Sequence, residues 1–280
     1  MSQGAGKSPE VRRVLCLANR SSATCAAACD ALLKQLRRAG LEVAEGVEFL
    51  EQCRPDLLVV LGGDGFLMES LRLLGYPETP VFGANFGSVG FLMNTKDYLP
   101  NLVDMIQRWD FVREEHAVLE ARIRLEDGST TSKLAFNDIV VERMTRQSLR
   151  LLLYLDGVPF NHYAGDGFVL STTAGSTAYN LAAGGPVVHP CLQVVLVTPL
   201  YPHRASPFHS MQFSLIVPLG CVVRIDVSDL PKRGMRVVSD GEAIDRAESI
   251  EVRDSGRKVS LVRPLSHLFV KTLARKFIGE

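Results

Sequence analysis

The 280 residues include 46% hydrophobic and 22% charged residues, a composition that excludes a largely disordered chain. Thirty-one basic and 31 acidic residues cancel, so no overall field favours nucleic acid or an anionic membrane surface, and any anion site must be local. No apolar run is long enough to cross a bilayer, and the N-terminus lacks the apolar core of a secretory signal. Six cysteines without a CxxC pair favour a reducing compartment, so we expect a cytoplasmic protein that binds neither membrane nor nucleic acid.

The first half of the chain alternates strand and helix patterns. Residues 1–10 are small and polar, which predicts a flexible tail. The predicted elements that follow are a strand at VLCLAN, a helix over Ser21–Ala39, strands at LEVAE and DLLVVLGG, a helix over Phe66–Leu74, a strand at TPVFGAN and a helix over Lys96–Trp109. This alternation predicts an α/β domain over residues 11–113, a parallel sheet with helices on both faces.

The second half consists of short runs rich in β-branched residues. Turn signals such as Asp127–Gly128, Asp156–Gly157 and Ser255–Gly256 separate these runs. This pattern is typical of a β-sandwich or a closed sheet, and we expect an all-β sandwich domain over residues 114–264. The last segment, 265–280, has a helical pattern and is expected to pack back on the first domain.

Two glycine-rich segments are candidates for a phosphate site. GAGKS at positions 4–8 lacks both the earlier glycine and the preceding strand of a P-loop, so we reject that interpretation. The GGDG segment has the right context, because an apolar strand precedes it and a helical pattern follows. Gly62, Gly63 and Gly65 allow backbone N–H groups to approach an anion, and the helix start adds positive partial charge. Asp64 would repel a phosphate, so it suits either a hydroxyl to be deprotonated, a magnesium ion, or simply a helix cap.

Two further segments combine polar groups with a strand or a helix start. Residues 165–186 read GDGFVLSTTAGSTAYNLAAGGP, and their hydroxyls suit a cradle for ribose or phosphate, although a capped loop has the same composition. Phe136–Asn137–Asp138–Ile139 places two polar side chains in an apolar strand, where adjacent residues face opposite ways. At least one of the two then needs a buried partner or a ligand.

The order and spacing of these motifs resemble the NAD kinase family of bacteria. The resemblance rests on VVLGGDG, GANFGSVGFLMN (83–94), FNDIVVER (136–143) and DGFVLSTTAGSTAYNLAAGGP (166–186). It implies an NAD kinase-like fold with NAD held between two domains. It also implies transfer of the γ-phosphoryl group of ATP, with a divalent metal that we expect to be Mg²⁺, to the 2′-hydroxyl of the adenosine ribose. NAD and ATP are the expected partners, and a homodimer or homotetramer is the expected assembly.

The same resemblance assigns roles to individual residues. Asp64 is the expected catalytic proton acceptor, beside Gly62, Gly63 and Gly65. The residues expected to bind the dinucleotide are Asn137, Asp138, Asp166, Ala174, Thr177, Ala178, Tyr179, Asn180, Leu181 and Ala182. Metal ligands are not assigned.

The chain departs from the common family pattern at several positions. Phe66 follows GGDG, STTAGS replaces STPTGS, and Asp240–Gly241–Glu242 ends in glutamate where glutamine is common. The changes at Phe66 and Ala174 leave open a catalytically silent NAD- or NADP-binding module. A lipid or sugar kinase sharing only the GGDG loop is a further alternative, which the TAYNLA run disfavours. Two side-chain groups receive no functional assignment: Arg143, Arg146 and Arg150 suit a solvated rim, and His189, His203, His209 and Cys191 match no zinc pattern.

Overall fold

The computed structural model describes residues 10–87, 90–204, 209–228 and 234–278. The GAGKS sequence and nearly all of the predicted tail lie outside these ranges. The chain divides into two compact units: unit 1 is Met1–Glu115 with Val259–Glu280, and unit 2 is His116–Lys258.

The described residues form six α-helices and sixteen β-strands. The α-helices are α1 (Ala23–Arg38), α2 (Leu50–Cys53), α3 (Asp64–Leu73), α4 (Leu102–Arg108), α5 (Tyr179–Ala182) and α6 (Phe269–Phe277). The strands are β1 (Arg13–Ala18), β2 (Glu42–Glu45), β3 (Leu57–Gly62), β4 (Val81–Asn85), β5 (Asn94–Thr95), β6 (Phe111–Leu125), β7 (Thr130–Ala135), β8 (Asp138–Arg143), β9 (Leu149–Leu155), β10 (Val158–Gly165), β11 (Gly167–Ser171), β12 (Val194–Leu200), β13 (Leu215–Pro218), β14 (Val223–Val227), β15 (Met235–Ser239) and β16 (Glu242–Pro264).

Unit 1 is built on a parallel sheet in which β3 is central. The strand order is β2-β1-β3-β4, and β4 also pairs in parallel with β5 and with the end of β16. Every residue of β3 is buried, as expected for a parallel strand covered on both faces. Leu57, Val59 and Leu61 pack in one core cluster with residues of α1 and α4, while Leu58 and Val60 face the opposite side and are equally buried. The predicted α/β architecture is therefore confirmed.

The helix boundaries in unit 1 follow local capping chemistry. The side chain of Ser22 accepts a hydrogen bond from the Cys25 N–H at the start of α1, and Gly40, with φ of +82°, follows its end. The predicted helix over Lys96–Trp109 is divided: Lys96–Asn101 is a 3₁₀ helix and only Leu102–Arg108 is α-helical. Pro100 explains the division, because proline lacks the N–H that an α-helix interior requires. Helix α3 begins at Asp64, two residues earlier than predicted, and this places the carboxylate in its first turn.

Unit 2 is built mainly from antiparallel strands arranged in three branches that meet at β16. One branch runs β13-β12-β11-β8-β15-β16, a second runs β10-β9-β14-β16, and a third runs β7-β6-β16. Inward-facing residues of the first two branches, including Leu151, Ile225, Phe168 and Val197, belong to a single buried core. Two packed sheets sharing one core form a sandwich, as predicted. The short 3₁₀ turn Gly175–Thr177, at the start of the TAYNLA segment, and helix α5 within that segment interrupt this all-β pattern.

Candidate functional site

The GGDG loop lies at the carboxyl edge of the parallel sheet, where β3 passes into α3. Ligands of open α/β sheets commonly bind outside this edge. None of Gly62, Gly63 and Gly65 has a positive φ, so a left-handed turn does not explain them. A Cβ on Gly62 would lie 2.7 Å from the ring of Phe66, whereas Gly65 faces open space and Gly63 has nothing nearer than 3.9 Å. Gly62 therefore accommodates Phe66, and the other two glycines leave the backbone accessible to a ligand.

The carboxylate of Asp64 is held by the backbone of the 91–92 turn. The Phe91 N–H donates to its Oδ2 at 2.6 Å, and the Leu92 N–H donates to both carboxylate oxygens at 3.3 Å. Burial raises the pKa of Asp64, whereas these hydrogen bonds and the charges of Lys276 and Arg263 act in the opposite direction. A carboxylate with a raised pKa is a stronger base, so this geometry suits proton acceptance.

The lack of a side chain at Gly90 leaves space for the carboxylate of Asp64. A Cβ at position 90 would overlap Oδ1 of Asp64 and would lie 3.4 Å from the side chain of Asn85. Asn85 in turn accepts the Gly87 N–H at 2.9 Å, and the Phe86 N–H donates to the Gly62 carbonyl at 2.6 Å. The GANFG segment and Gly90 thus fix the loop beside the GGDG turn.

The FND motif in unit 2 is organised by Asp240. The carboxylate of Asp240 accepts three backbone N–H groups, from Phe136 at 2.6 Å, Asn137 at 2.9 Å and Asp138 at 3.2 Å. Asp240 itself has φ of +43° in the turn before β16. In the sequence, Asp240 stands out only as part of Asp240–Gly241–Glu242, the motif that departs from the family pattern at Glu242. The Asp-Gly pair predicts a turn there, but it does not predict the contacts with Phe136–Asp138.

Asn137 and Asp138 carry the polar groups that this motif presents. Burial, followed by the charge of Asp240, raises the pKa of Asp138 to about 7. The Oδ1 atom of Asn137 is buried and accepts no hydrogen bond from the described residues. A buried amide oxygen without a donor is costly, so a ligand that donates a hydrogen bond would be favoured there.

The hydroxyls of the 171–176 segment bind the protein's own backbone. Thr172 Oγ1 donates to the Phe136 carbonyl at 2.6 Å, Ser171 Oγ donates to the Asn137 carbonyl at 3.2 Å, and Ser176 Oγ donates to the Thr173 carbonyl at 2.7 Å. All three side chains are at most 1% exposed. The interpretation of these hydroxyls as a ligand cradle is therefore wrong for Ser171, Thr172 and Ser176, which hold the FND segment and the loop in place.

The TAYNLA residues differ in how far they are available to a ligand. Asn180 is fully buried, and its amide is used internally: Nδ2 donates to the Ser176 and Pro186 carbonyls, and Oδ1 accepts from Thr198. Ala174 is 5% exposed, whereas Tyr179 is 43% exposed. Thr177, Ala178 and Leu181 are half-buried and Ala182 is exposed. The exposed surface of this segment is thus presented mainly by Tyr179 and its small neighbours.

Asp166 and Tyr179 line a common cavity of about 570 Å³ in unit 2. Arg143 Nε donates to Asp166 Oδ1 at 2.7 Å, and Arg146 and Tyr201 lie at the same cavity. Arg143 is exposed, as expected for a solvated rim, and it pairs with the predicted substrate-contacting carboxylate at this cavity.

The departure at Glu242 also has a structural explanation. Lys133 Nζ donates to the Glu242 carboxylate at 2.8 Å, an ion pair that a glutamine could not form.

Within the described ranges, no three His, Cys, Asp or Glu side chains come together as a metal site. Cys25 and Cys29 are both fully buried, and Cys25 Sγ donates to the Leu61 carbonyl.

Comparison with known proteins agrees with the motifs. The model of the ATP-NAD kinase C-terminal domain matches residues 136–264. An NAD kinase from Caldicellulosiruptor bescii is 33% identical over 226 residues, which cover 79% of this chain and 82% of the relative. The chain belongs to the NAD kinase family. Another NAD kinase, from Ectopseudomonas mendocina, is 30% identical over 88% of this chain and 83% of its own length.

Solved structures of an NADH kinase and an NAD kinase show the same fold. The yeast NADH kinase complexed with NADH superposes with a TM-score of 0.79 at 20% identity, covering 99% of this chain and 92% of the yeast chain. The NAD kinase from Archaeoglobus fulgidus in complex with ATP superposes with a TM-score of 0.72 at 24% identity, covering 94% of this chain and 99% of the Archaeoglobus chain. The predicted family and fold class are thus confirmed. Among the described residues, no helix is long and apolar enough to cross a membrane.

Proposed function

We propose that this protein is an NAD kinase that transfers the γ-phosphoryl group of ATP to the 2′-hydroxyl of the adenosine ribose of NAD, forming NADP and ADP. The observation that carries the proposal is Asp64, a half-buried carboxylate of raised pKa that the Phe91 and Leu92 N–H groups hold at the start of α3, in a chain of the NAD kinase family. The open space at Gly63 and Gly65 beside it suits the phosphates of the donor.

Asp64 serves the attacking hydroxyl. A ribose hydroxyl is a poor nucleophile, and a carboxylate that accepts its proton contributes about 10²- to 10⁴-fold. The 2′-oxygen forms a bond to the γ-phosphorus, the bond from that phosphorus to the bridging oxygen of ADP breaks, and ADP leaves with the electron pair. Asp64 receives the hydroxyl proton. Most of the remaining acceleration comes from alignment and charge neutralisation.

The dinucleotide is held by residues of unit 2. Asn137 offers a buried acceptor and Asp138 a carboxyl group that is half protonated near neutral pH, so both suit ribose hydroxyls. Asp166, fixed by Arg143, faces the cavity that Tyr179 also lines. The further proposed contacts come from Ala174 and from Thr177, Ala178, Leu181 and Ala182 of the TAYNLA segment. Asn180, whose buried amide is bonded internally, would act on the dinucleotide by holding this segment in place.

The divalent metal enters this proposal as part of the donor. Mg²⁺ keeps most of its water and binds proteins through one or two carboxylates together with substrate phosphates. The described residues bring no cage of ligands together, and the open backbone at Gly63 and Gly65 leaves room for Mg²⁺ carried by the phosphates of ATP. When bound, it would neutralise phosphate charge. A cytoplasmic location and a homodimer or homotetramer belong to the proposal as well.

A donor-by-acceptor panel tests the function. Purified protein is incubated with Mg²⁺, with ATP or polyphosphate as donor and NAD or NADH as acceptor, and the product is detected with an NADP-specific dehydrogenase. We expect NADP from NAD and ATP, with the new phosphate at the 2′-oxygen by phosphorus NMR. Tight NADP binding without turnover by any donor would instead establish a silent binding module, and reaction of a lipid or sugar with NAD inert would overturn the assignment of substrate.

A further inference from the structure

The turn that holds Asp64 is itself fixed by a buried arginine. Arg263, in the last part of β16, is 3% exposed. Its Nη1 donates to the Leu92 carbonyl at 2.9 Å, and its Nη2 lies 3.5 Å from the Phe91 carbonyl. The same two residues donate their N–H groups to Asp64. Arg263 therefore binds the carbonyl side of the turn whose amide side binds the proposed base.

Glu114 holds Arg263 in this orientation. Its carboxylate accepts from Arg263 Nε at 3.3 Å and lies 3.5 Å from Nη2. The Glu114 side chain is 19% exposed and the Arg263 side chain 4%, so solvent screens this ion pair little. The planar guanidinium has enough donors to bind the carbonyls and the carboxylate together, which an ammonium group with three donors and no fork cannot reproduce.

We propose that Arg263, oriented by Glu114, is a positioning residue for the phosphoryl transfer: it fixes the Phe91–Leu92 turn and thereby the carboxylate of Asp64. This inference rests on the proposed function. Arg263 does not contact the reacting atoms, so its effect must pass through Asp64.

The charges around Asp64 have a second consequence. The cations that face it are Arg263 from β16 and Lys276 from α6, whose Nζ lies 3.4 Å from the centre of the Phe91 ring. Both favour the ionised carboxylate and so lower its pKa. Loss of the Arg263 charge should therefore move the acidic limb of the rate profile to higher pH, because the base then requires a higher pH to ionise.

Arg263→Lys is the decisive variant, because it keeps the charge but loses the fork. We expect kcat to fall about 10- to 100-fold, as for a misplaced catalytic group, with little change in the KM values for NAD and ATP. Arg263→Met should lose as much and should shift the acidic limb upward, because it removes a charge and also loosens the Phe91 and Leu92 hydrogen bonds that lower the pKa of Asp64. Arg263→Lys keeps the charge and should shift that limb less. Glu114→Gln, which keeps the shape of the side chain, should show a smaller loss of kcat. Arg275→Met, which removes an exposed cation of α6, is the matched control and should keep wild-type kinetics.

A double-mutant cycle separates positioning from general damage. If Arg263 acts through Asp64, then Asp64→Asn with Arg263→Lys should be no slower than Asp64→Asn alone. Multiplicative losses in the double variant, or folded Arg263→Lys with wild-type kcat, would overturn the proposal. Should Arg263→Met fail to fold, Arg263→Lys and Glu114→Gln carry the test. A wild-type protein that makes no NADP would refute the proposed function itself, a result distinct from either of these.

Discussion

Replacing Asp240 by asparagine should weaken unit 2, because one carboxylate there accepts three backbone N–H groups. Oδ1 accepts from Asn137 and Asp138, and Oδ2 accepts from Phe136 at 2.6 Å. An asparagine can keep the Oδ1 contacts, but its NH₂ group would then face the N–H of the fully buried Phe136. A buried donor left unpaired costs about 1–3 kcal/mol, so we expect the free energy of unfolding to fall by about 2 kcal/mol.

The loss should depend on pH in a defined direction. The charge of Asp240 is the second cause, after burial, of the raised pKa of Asp138, which is about 7. Below pH 7 Asp138 is mostly neutral, so removing the Asp240 charge relieves no repulsion and the full loss appears. Above pH 7 Asp138 is ionised in the wild type, and the variant gains from the missing repulsion, so the difference should shrink.

Thermal unfolding followed by far-UV circular dichroism on both sides of pH 7 measures this effect. At about 2–4 °C per kcal/mol, the melting temperature should fall by about 4–8 °C below pH 7. Asp245→Asn is the matched control, since Asp245 is an exposed aspartate of β16 paired with Arg236, and such surface pairs contribute little. The reasoning fails if Asp240→Asn melts with the control, or if the difference grows as pH rises.

Three further predictions concern other groups. Asp138→Asn should flatten the pH dependence of stability. The raised pKa of Asp138 makes a stabilising contribution that is complete below the ordinary pKa of 3.8 and is lost as the pH rises to about 7. Over that pH range the melting temperature of the wild type should therefore decline more steeply than that of the variant. Gly90→Ala should lower kcat about 100-fold, because the new Cβ displaces the Asp64 carboxylate, while the NAD affinity measured by calorimetry stays unchanged. Gly220 faces open space, so the control Gly220→Ala should leave kcat unchanged. Equal effects of the two substitutions on kcat would contradict this explanation. Iodoacetamide should modify the exposed Cys191 first. Cys16, Cys25 and Cys29 are buried thiols of raised pKa and should stay unmodified in the native protein, as measured by mass spectrometry. Early labelling of Cys16 would refute this order.

The fold was largely predictable because burial periodicity and turn signals are local. The uninterrupted apolar run of β3 and the capping serine at the start of α1 appear directly in the sequence. Family and fold class also followed from motif order. The start of α3 was predicted two residues late, because Gly63 and Asp64 are weak helix formers and only the structure shows that they open the helix.

The site was less predictable because its positioning groups come from distant parts of the chain. Asp240 is 102 residues from Asp138, and Arg263 is 171 residues from Leu92. No local pattern reports such contacts. For the same reason the sequence leaves two interpretations of the hydroxyls of Ser171, Thr172 and Ser176, a ligand site or a capped loop. Composition shows that donors are present but not that backbone carbonyls occupy them.

The rate of Asp64→Asn tests the central claim most directly. With NAD, ATP and Mg²⁺ at saturation, we expect kcat to fall about 10²- to 10⁴-fold while the dissociation constant for NAD, measured by calorimetry, stays near that of the wild type. A variant that forms NADP at close to the wild-type rate would show that Asp64 does not accept the ribose proton.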